Sequence, residues 1–160
     1  PGELRGARWE EFDFESEQWR IPPNRMKMGT EHIVPLSRQA LAVLKTMRSI
    51  TGTAELVFHG ERTRLKPISE NTMTFALYRL GYKGRATPHG FRATASSILN
   101  EQGFNPDAIE RQLSHTERNN VRSAYTHHAR YLEERQEMMQ WWADYLDSVS
   151  EKGTLIRNVE

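Results

Sequence analysis

Cysteine is absent from this 160-residue sequence, which excludes disulfides, thiolate zinc sites and cysteine nucleophiles. No apolar run approaches the roughly 18 residues that a membrane span needs. The chain has no signal-like start, and it begins at Pro1 without Met, which indicates a fragment. Internal repeats, low-complexity tracts and Gly/Ser linkers are also missing. With 37% apolar residues and a mean hydropathy of −0.75, the sequence predicts one globular, cytosolic domain.

Positive charge is concentrated in the middle of the sequence, although the net charge is only +1. Residues 1–20 carry −3 and residues 131–160 carry −4. In contrast, residues 21–60 carry +3 and residues 61–92 carry +5, while residues 93–130 are balanced. A local excess of Lys and Arg suits phosphate contacts, because each neutralised phosphate releases condensed counterions. Uneven charge is also common in other proteins, so charge alone leaves DNA binding open.

The apolar periodicity predicts a mainly α chain with a small three-stranded antiparallel sheet near its start, an α+β class. Strands are predicted at 8–14, 18–22 and 31–36, and the last two form a hairpin with a basic turn around Gly29. The predicted helices are one capped by Ser37, one capped by Ser69 and ended by Gly81, a closely packed one at 89–102 that is rich in small residues, one from Asn105-Pro106 to Leu113, a short one at 121–127 and a long one at 131–149.

The segment Thr87-Pro-His-Gly-Phe-Arg-Ala-Thr94 places two functional side chains at a predicted helix start. His89 and Arg92 are three residues apart, so both can lie on one helix face. The backbone N–H groups and the positive dipole end of a helix start favour a bound phosphate. A histidine near a helix start and an unrelated surface arginine would give the same pattern.

Three further residues carry possible chemistry, although each has an ordinary explanation. His115, in Leu113-Ser114-His115, follows an apolar helix and could simply cap it or be solvated. Tyr125 follows ten residues later and could be a packing aromatic. Lys27 lies at the predicted hairpin turn, where most lysines are solvated.

Taken together and in this order, these features resemble the tyrosine recombinase family, in particular its phage and genomic-island integrases. The resemblance covers nearly the whole chain and implies the catalytic-domain fold of DNA breaking-rejoining enzymes. It is carried by Pro1-Gly-Glu-Leu-Arg-Gly-Ala-Arg-Trp9, Met26-Lys-Met28 with Glu31-His-Ile-Val-Pro-Leu-Ser37, His89-Gly-Phe-Arg-Ala-Thr-Ala95, Leu113-Ser-His115, Arg118-Asn-Asn-Val-Arg-Ser-Ala-Tyr125 and Met138-Met-Gln-Trp-Trp-Ala-Asp-Tyr-Leu146.

The resemblance implies a role for each candidate residue. Tyr125 would attack a phosphodiester and form a 3′-phosphotyrosyl intermediate with a free 5′-hydroxyl. Arg92 would clamp the scissile phosphate bidentately, and His115 would donate a hydrogen bond to it. His89 would act as a general acid/base, and Lys27 would protonate the leaving 5′-oxygen. No metal, ATP or other cofactor is implied, because Arg, Lys and His donors stabilise the developing charge.

One catalytic group of the family has no counterpart in the sequence. In the family, a first catalytic arginine directly precedes the segment that Pro1-Gly-Glu-Leu4 resembles, and neither Arg5 nor Arg8 matches its position. We therefore expect the 160 residues alone to be inactive, with Glu3 helping to position the absent group. The resemblance also implies an N-terminal DNA-wrapping module that the chain lacks.

We interpret residues 1–150 as a catalytic domain truncated at its N-terminus and residues 151–160 as a C-terminal tail. The basic stretch 61–92 would face double-stranded DNA, mostly through phosphates, which position a protein without reading sequence. The predicted DNA contacts are Arg25, Arg62, Arg64, Lys66, Arg79, Lys83 and Arg85.

The resemblance implies several partners in the bacterial cytoplasm, at the nucleoid. They are attachment-site DNA, other recombinase protomers in a tetramer, and accessory DNA-bending proteins. By analogy, helix 131–149 could dock on a neighbouring protomer through Trp141, Trp142 and Tyr145. We favour packing of these anchors within their own chain.

Three other interpretations stay open. A type IB topoisomerase-like or telomere-resolving enzyme would share the tyrosine nucleophile, but the flanking segments are integrase-like. A non-catalytic DNA-binding remnant of an integrase would follow if the first arginine had been lost naturally. A histidine-based metalloprotein would use some of the six His, including His127 and His128, but no His-x-x-x-His or carboxylate spacing supports a metal site.

Overall fold

The computed structural model describes residues 1–114 and 131–157, with the side chains of residues 1–114 and 131–150. Over these residues the chain is mainly helical, with six α-helices and one three-stranded antiparallel sheet, as the sequence predicts. The elements in chain order are α1 (Gly2–Arg5), β1 (Phe12–Asp13), β2 (Gln18–Ile21), β3 (His32–Pro35), α2 (Arg38–Thr51), α3 (Thr72–Arg79), α4 (Pro88–Glu101), α5 (Pro106–Gln112) and α6 (Leu132–Arg157).

The sheet has β2 at its centre, paired antiparallel with β1 and β3. The predicted β2–β3 hairpin is present, with Trp19 opposite Val34. The predicted strand at 8–14 is shorter than expected, because Trp9–Glu11 forms a 3₁₀ turn and only β1 joins the sheet. This turn carries the buried Glu11 carboxylate to the indole Nε1 of Trp19, which donates to it at 2.9 Å. A tertiary hydrogen bond therefore replaces part of the expected strand.

Two apolar clusters hold the described part of the fold together. The first packs α2 against the sheet and the N-terminal turn, and the second joins α4, α5 and α6. Because buried apolar area contributes about 25 cal/mol per Å², these clusters supply the main stabilising term. The buried members are Ala7, Trp9, Phe12, Leu44 and Val57 in the first cluster and Leu99, Ile109 and Met138 in the second.

Helix α6 links the two clusters, since it contacts α2 and β3 as well as α4 and α5. Trp141 and Trp142 pack against the second cluster, as the preference for packing within the chain expects. Trp141 meets Phe104 edge to face, with ring centroids 5.4 Å apart. The helix continues to Arg157, past residue 149 where the sequence predicts its end, so its last turns lie in the segment interpreted as a tail.

The helix ends follow their local signals at most positions. Ser37 accepts a hydrogen bond from the Ala40 N–H, and Asn105 accepts one from the Asp107 N–H, so both cap their helices as predicted. Gly81 follows α3 with φ +85°, a conformation that favours glycine. The Ser69 prediction is wrong: α3 begins at Thr72, and the Ser69 hydroxyl accepts from the Asn71 N–H instead.

Helix α4 is less closely packed than its small residues predict. Only Leu99 is buried, and Ala93 and Ser97 are exposed, because α5 and α6 cover one side of the helix. The short helix predicted at 121–127 lies outside the described residues.

Candidate active site

The start of α4 holds two of the predicted site residues. Thr87 caps the helix, and its hydroxyl accepts a hydrogen bond from the Gly90 N–H at 3.0 Å. Pro88 occupies the first turn, where its missing N–H costs nothing. His89 is exposed and Arg92 is half-buried one turn later. The predicted helix-start arrangement of these two side chains is therefore present.

The guanidinium of Arg92 is fixed by a main-chain contact from another helix. Its Nη2 donates to the backbone carbonyl of Leu113, the residue that follows α5. Ser114 follows with φ +53°, so the chain turns sharply directly after that carbonyl. The contact brings together two segments that are 21 residues apart in sequence, the His89–Arg92 helix start and the Leu113-Ser114 turn. His115 and Tyr125 lie outside the described residues.

Lys27 is exposed in the turn between β2 and β3. The Gly29 N–H donates to the Met26 carbonyl at 3.0 Å, and Gly29 has φ +64°, so a tight turn presents the lysine. Arg25, one of the predicted DNA contacts, precedes this turn and pairs with the buried Glu11 carboxylate. Its Nη2 also donates to the Glu3 carbonyl at 2.6 Å.

Sequence reasoning did not single out Arg135, which lies fully buried in α6. Its Nη2 donates to the Ile33 carbonyl at 2.5 Å and to the Gln112 side-chain oxygen at 2.7 Å. Its Nε also donates to that oxygen, at 3.0 Å. Arg135 therefore joins α6 to β3 and to the last residue of α5. The available signal was its position three residues before Met138, on the buried stripe of the helix.

Beside Arg135 lies His32, which is only 4% exposed. Burial, together with the positive charges of Arg135, Arg111 and Arg92, lowers the pKa of His32 from 6.5 to about 4. Burial also lowers the pKa of Arg135 to about 10, helped by the charge of Arg111, so Arg135 stays cationic at neutral pH. Arg92, Arg111 and Arg135 therefore all place positive charge near His32, a setting that favours an anion.

Six of the cations that the sequence predicts as DNA contacts are exposed in the segment 62–85. The ion pairs of the described residues include Arg5–Glu70, Arg8–Glu55, Arg25–Glu11 and Arg38–Asp144, and none of these involves the six. Two of the six lie over aromatic rings, Lys83 on Tyr78 and Arg85 on Tyr82. The six cations are Arg62, Arg64, Lys66, Arg79, Lys83 and Arg85.

The described part of the chain holds neither a membrane-spanning helix nor a metal-binding cluster of side chains. No helix there is both long and apolar enough to span a membrane. No group of three or more His, Asp or Glu side chains there is arranged to hold a metal ion.

Comparison with known proteins identifies the family. The chain belongs to the phage integrase family, whose model matches residues 1–131. It is 52% identical to the integrase of Enterobacteria phage P4 over 91% of its own length and 36% of that protein. It is 50% identical to the putative protein IntB of Escherichia coli K12, over 91% of the chain and 40% of IntB.

A third relative is the prophage integrase IntA of Escherichia coli K12. The chain is 44% identical to it over 98% of its own length and 37% of IntA. The chain therefore spans less than half the length of these relatives. No solved structure matches it significantly.

Proposed function

We propose that this chain is the catalytic domain of a tyrosine-type site-specific recombinase, which cleaves and rejoins double-stranded DNA through a 3′-phosphotyrosyl intermediate. The observation that carries the proposal is the contact between Arg92 and the Leu113 carbonyl. It joins the His89–Arg92 motif to the start of the Leu113-Ser114-His115 motif, and both motifs are assigned to the same phosphate. Arg111 and Arg135, which act on His32 together with Arg92, add positive charge that attracts the phosphate.

The proposed reaction needs an in-line displacement at phosphorus. The Tyr125 oxygen attacks the scissile phosphate, the P–O5′ bond breaks, and the phosphate becomes esterified to Tyr125. His89 takes the tyrosine proton, and Lys27 gives a proton to the leaving 5′-oxygen, each step of this kind being worth about 10²–10⁴-fold. Arg92 and His115 hydrogen-bond the non-bridging oxygens. The ester keeps the energy of the phosphodiester, so reversal of the same steps rejoins the strand without ATP or metal.

We propose that the six exposed cations between Arg62 and Arg85 contact DNA phosphates. Their exposure and their lack of ion pairs within the described residues leave their charges available. Arg25 has its guanidinium on Glu11, so we assign it to holding the Lys27 turn. For these contacts alone we expect a Kd of about 10⁻⁴–10⁻⁶ M at physiological salt.

The proposed partners are an attachment-site duplex and further recombinase protomers, four in the strand-exchange assembly, with accessory DNA-bending proteins. The site of action would be the bacterial nucleoid. These proposals rest on the family and on the integrase names of the relatives from phage P4 and Escherichia coli.

The test is trapping of the covalent intermediate. The probe is a nicked duplex copied from the junctions of the element that encodes the chain, and the product is a protein–DNA adduct seen by denaturing electrophoresis. The protein is expressed with any residues that its gene encodes before Pro1. We expect an adduct that disappears in Tyr125→Phe while DNA affinity stays within about twofold, since one hydroxyl adds little to many phosphate contacts.

The 160 residues alone provide the matched comparison. They lack an arginine at the first catalytic position, so we expect them to bind the duplex but to form no adduct. An adduct that survives Tyr125→Phe would reject the nucleophile assignment. DNA binding without an adduct in the longer protein as well would favour a non-catalytic remnant.

A further inference from the structure

The buried Arg135 touches none of the reacting groups in the reaction described above, and its placement is energetically unusual. It is fully buried, and its Nη1 has no hydrogen-bond partner within the described residues. No ion pair of the described residues supplies it with a carboxylate. Apolar residues of similar volume often serve as well as a buried charge or better, so stability alone does not explain a cation here. The hydrogen bonds that Arg135 makes indicate a role in positioning its neighbours.

Those hydrogen bonds converge on the end of α5. Two N–H groups of Arg135 hold the Gln112 side-chain oxygen, and a third interaction anchors the same guanidinium to the Ile33 carbonyl in β3. The next residue after Gln112 is Leu113, whose carbonyl accepts from Arg92. A continuous path therefore runs from β3 through Arg135 and Gln112 to the carbonyl that orients Arg92.

The path matters because only two backbone dihedrals separate consecutive residues, so fixing Gln112 restricts where the Leu113 carbonyl can point. To bind a phosphate through two N–H groups, the Arg92 guanidinium must be held in one orientation. A side chain with several rotatable bonds does not keep one orientation unaided. Arg92 is only half-buried, so packing alone leaves it freedom to rotate.

We propose that Arg135 is a positioning residue for Arg92, acting through Gln112 and the Leu113 carbonyl. This inference rests on the proposed function, since it takes Arg92 as the group that binds the phosphate. Arg135 itself does not touch the substrate. It belongs to a layer beneath the site whose loss displaces the reacting groups, and a displacement of about 1 Å costs on the order of 100-fold in rate.

The test uses two variants that break the path at different points, Arg135→Met and Gln112→Ala. Gln112→Glu keeps an acceptor for Arg135 and is the conservative rescue. Leu44→Ala removes a buried side chain from the first cluster, away from this path, and is the control for lost stability. Each protein is measured well below its own unfolding temperature.

The first readout is independent of activity. The readout is the solvent exchange of the Arg92 guanidinium protons, followed by NMR in the 160-residue chain. In Arg135→Met and Gln112→Ala the Leu113 carbonyl is no longer held in place, so Arg92 should lose its hydrogen bond to it. Exchange should then be about 10-fold faster, as loss of one hydrogen bond to a charged group predicts. It should be unchanged in Gln112→Glu and Leu44→Ala. Unchanged exchange in both path variants would overturn the proposal, whatever the activity.

The second readout is the rate of adduct formation on the nicked duplex, in the protein expressed with any residues encoded before Pro1. We expect both path variants to lose on the order of 100-fold in rate, with DNA affinity within about twofold because neither side chain is a surface cation. Gln112→Glu should recover the rate. An equal loss in Leu44→Ala would reduce the effect to stability and reject the positioning role. Faster exchange with no adduct in any protein, the parent included, would instead reject the proposed function and, with it, the catalytic meaning of the path.

Discussion

Acidification should destabilise this protein through one buried histidine. His32 is held neutral by burial and by the charges of Arg135, Arg111 and Arg92, which lower its pKa from 6.5 to about 4. The unfolded chain therefore binds a proton between these two values that the folded chain does not bind. The contribution of His32 to the free energy of unfolding is fully present above about pH 6.5 and is lost as the pH falls toward 4. Between about pH 7 and about pH 5 the loss amounts to about 2 kcal/mol.

Urea denaturation of the 160-residue chain at these two pH values measures the loss directly. In His32→Gln the loss should be nearly abolished, because an amide binds no proton in this pH range. The amide can still donate to the Gln112 carbonyl that accepts from His32, so the fold should be kept. His59→Gln is the matched control, since His59 bonds to the adjacent Gly60 carbonyl and is not among the groups that act on His32, and this variant should keep the parental pH dependence. Asp13 and Asp144, whose hydrogen bonds lower their pKa values, act at lower pH, below about 4. The reasoning fails if His32→Gln retains the full loss.

Three further outcomes are expected. Arg92→Lys should slow adduct formation on the order of 100-fold, because Lys cannot make the bidentate contact; a rate near the parent's would remove Arg92 from the phosphate. Arg79→Ala should lower the slope of log Kd against log salt by about 0.9, as one lost phosphate contact predicts. Arg38→Ala should leave the slope unchanged, because Arg38 pairs with Asp144. Equal slopes in the two variants would exclude Arg79 from the interface. Thr87→Ala should cost about 1 kcal/mol of unfolding free energy through loss of the α4 cap, while the exposed Thr46→Ala should change little; similar values for both would show that the cap contributes nothing.

The sequence predicts best where a local signal decides the structure. Ser37 and Asn105 each bond to a backbone N–H within three residues, so their caps depend on little beyond their own segments. The hairpin is similar, since alternating residues and a turn glycine act over short distances. The start of α4, with His89 and Arg92 on one face, follows for the same reason.

The remainder depends on contacts between distant residues. Glu11 is drawn out of a regular strand by Trp19 and Arg25, which lie 8 and 14 residues away. Arg135 looks like a surface residue of an acidic helix, and only the arrival of Ile33 and Gln112 explains its burial. The contact between Arg92 and Leu113 likewise joins segments 21 residues apart through a backbone carbonyl, an atom that every residue possesses and that leaves no mark in a sequence.

The pairing of Arg25 with Glu11 has a mechanical consequence for Lys27. Before the turn, the chain is held by the Arg25–Glu11 ion pair and by the buried Met26. After the turn, it is held by His32 in the sheet. Lys27 is two positions after Arg25, and an extended chain spans at most about 7 Å over that distance. The backbone of Lys27 therefore stays close to the Glu11–Arg25 pair, and only its flexible side chain can extend toward the leaving oxygen that the proposed function assigns to it.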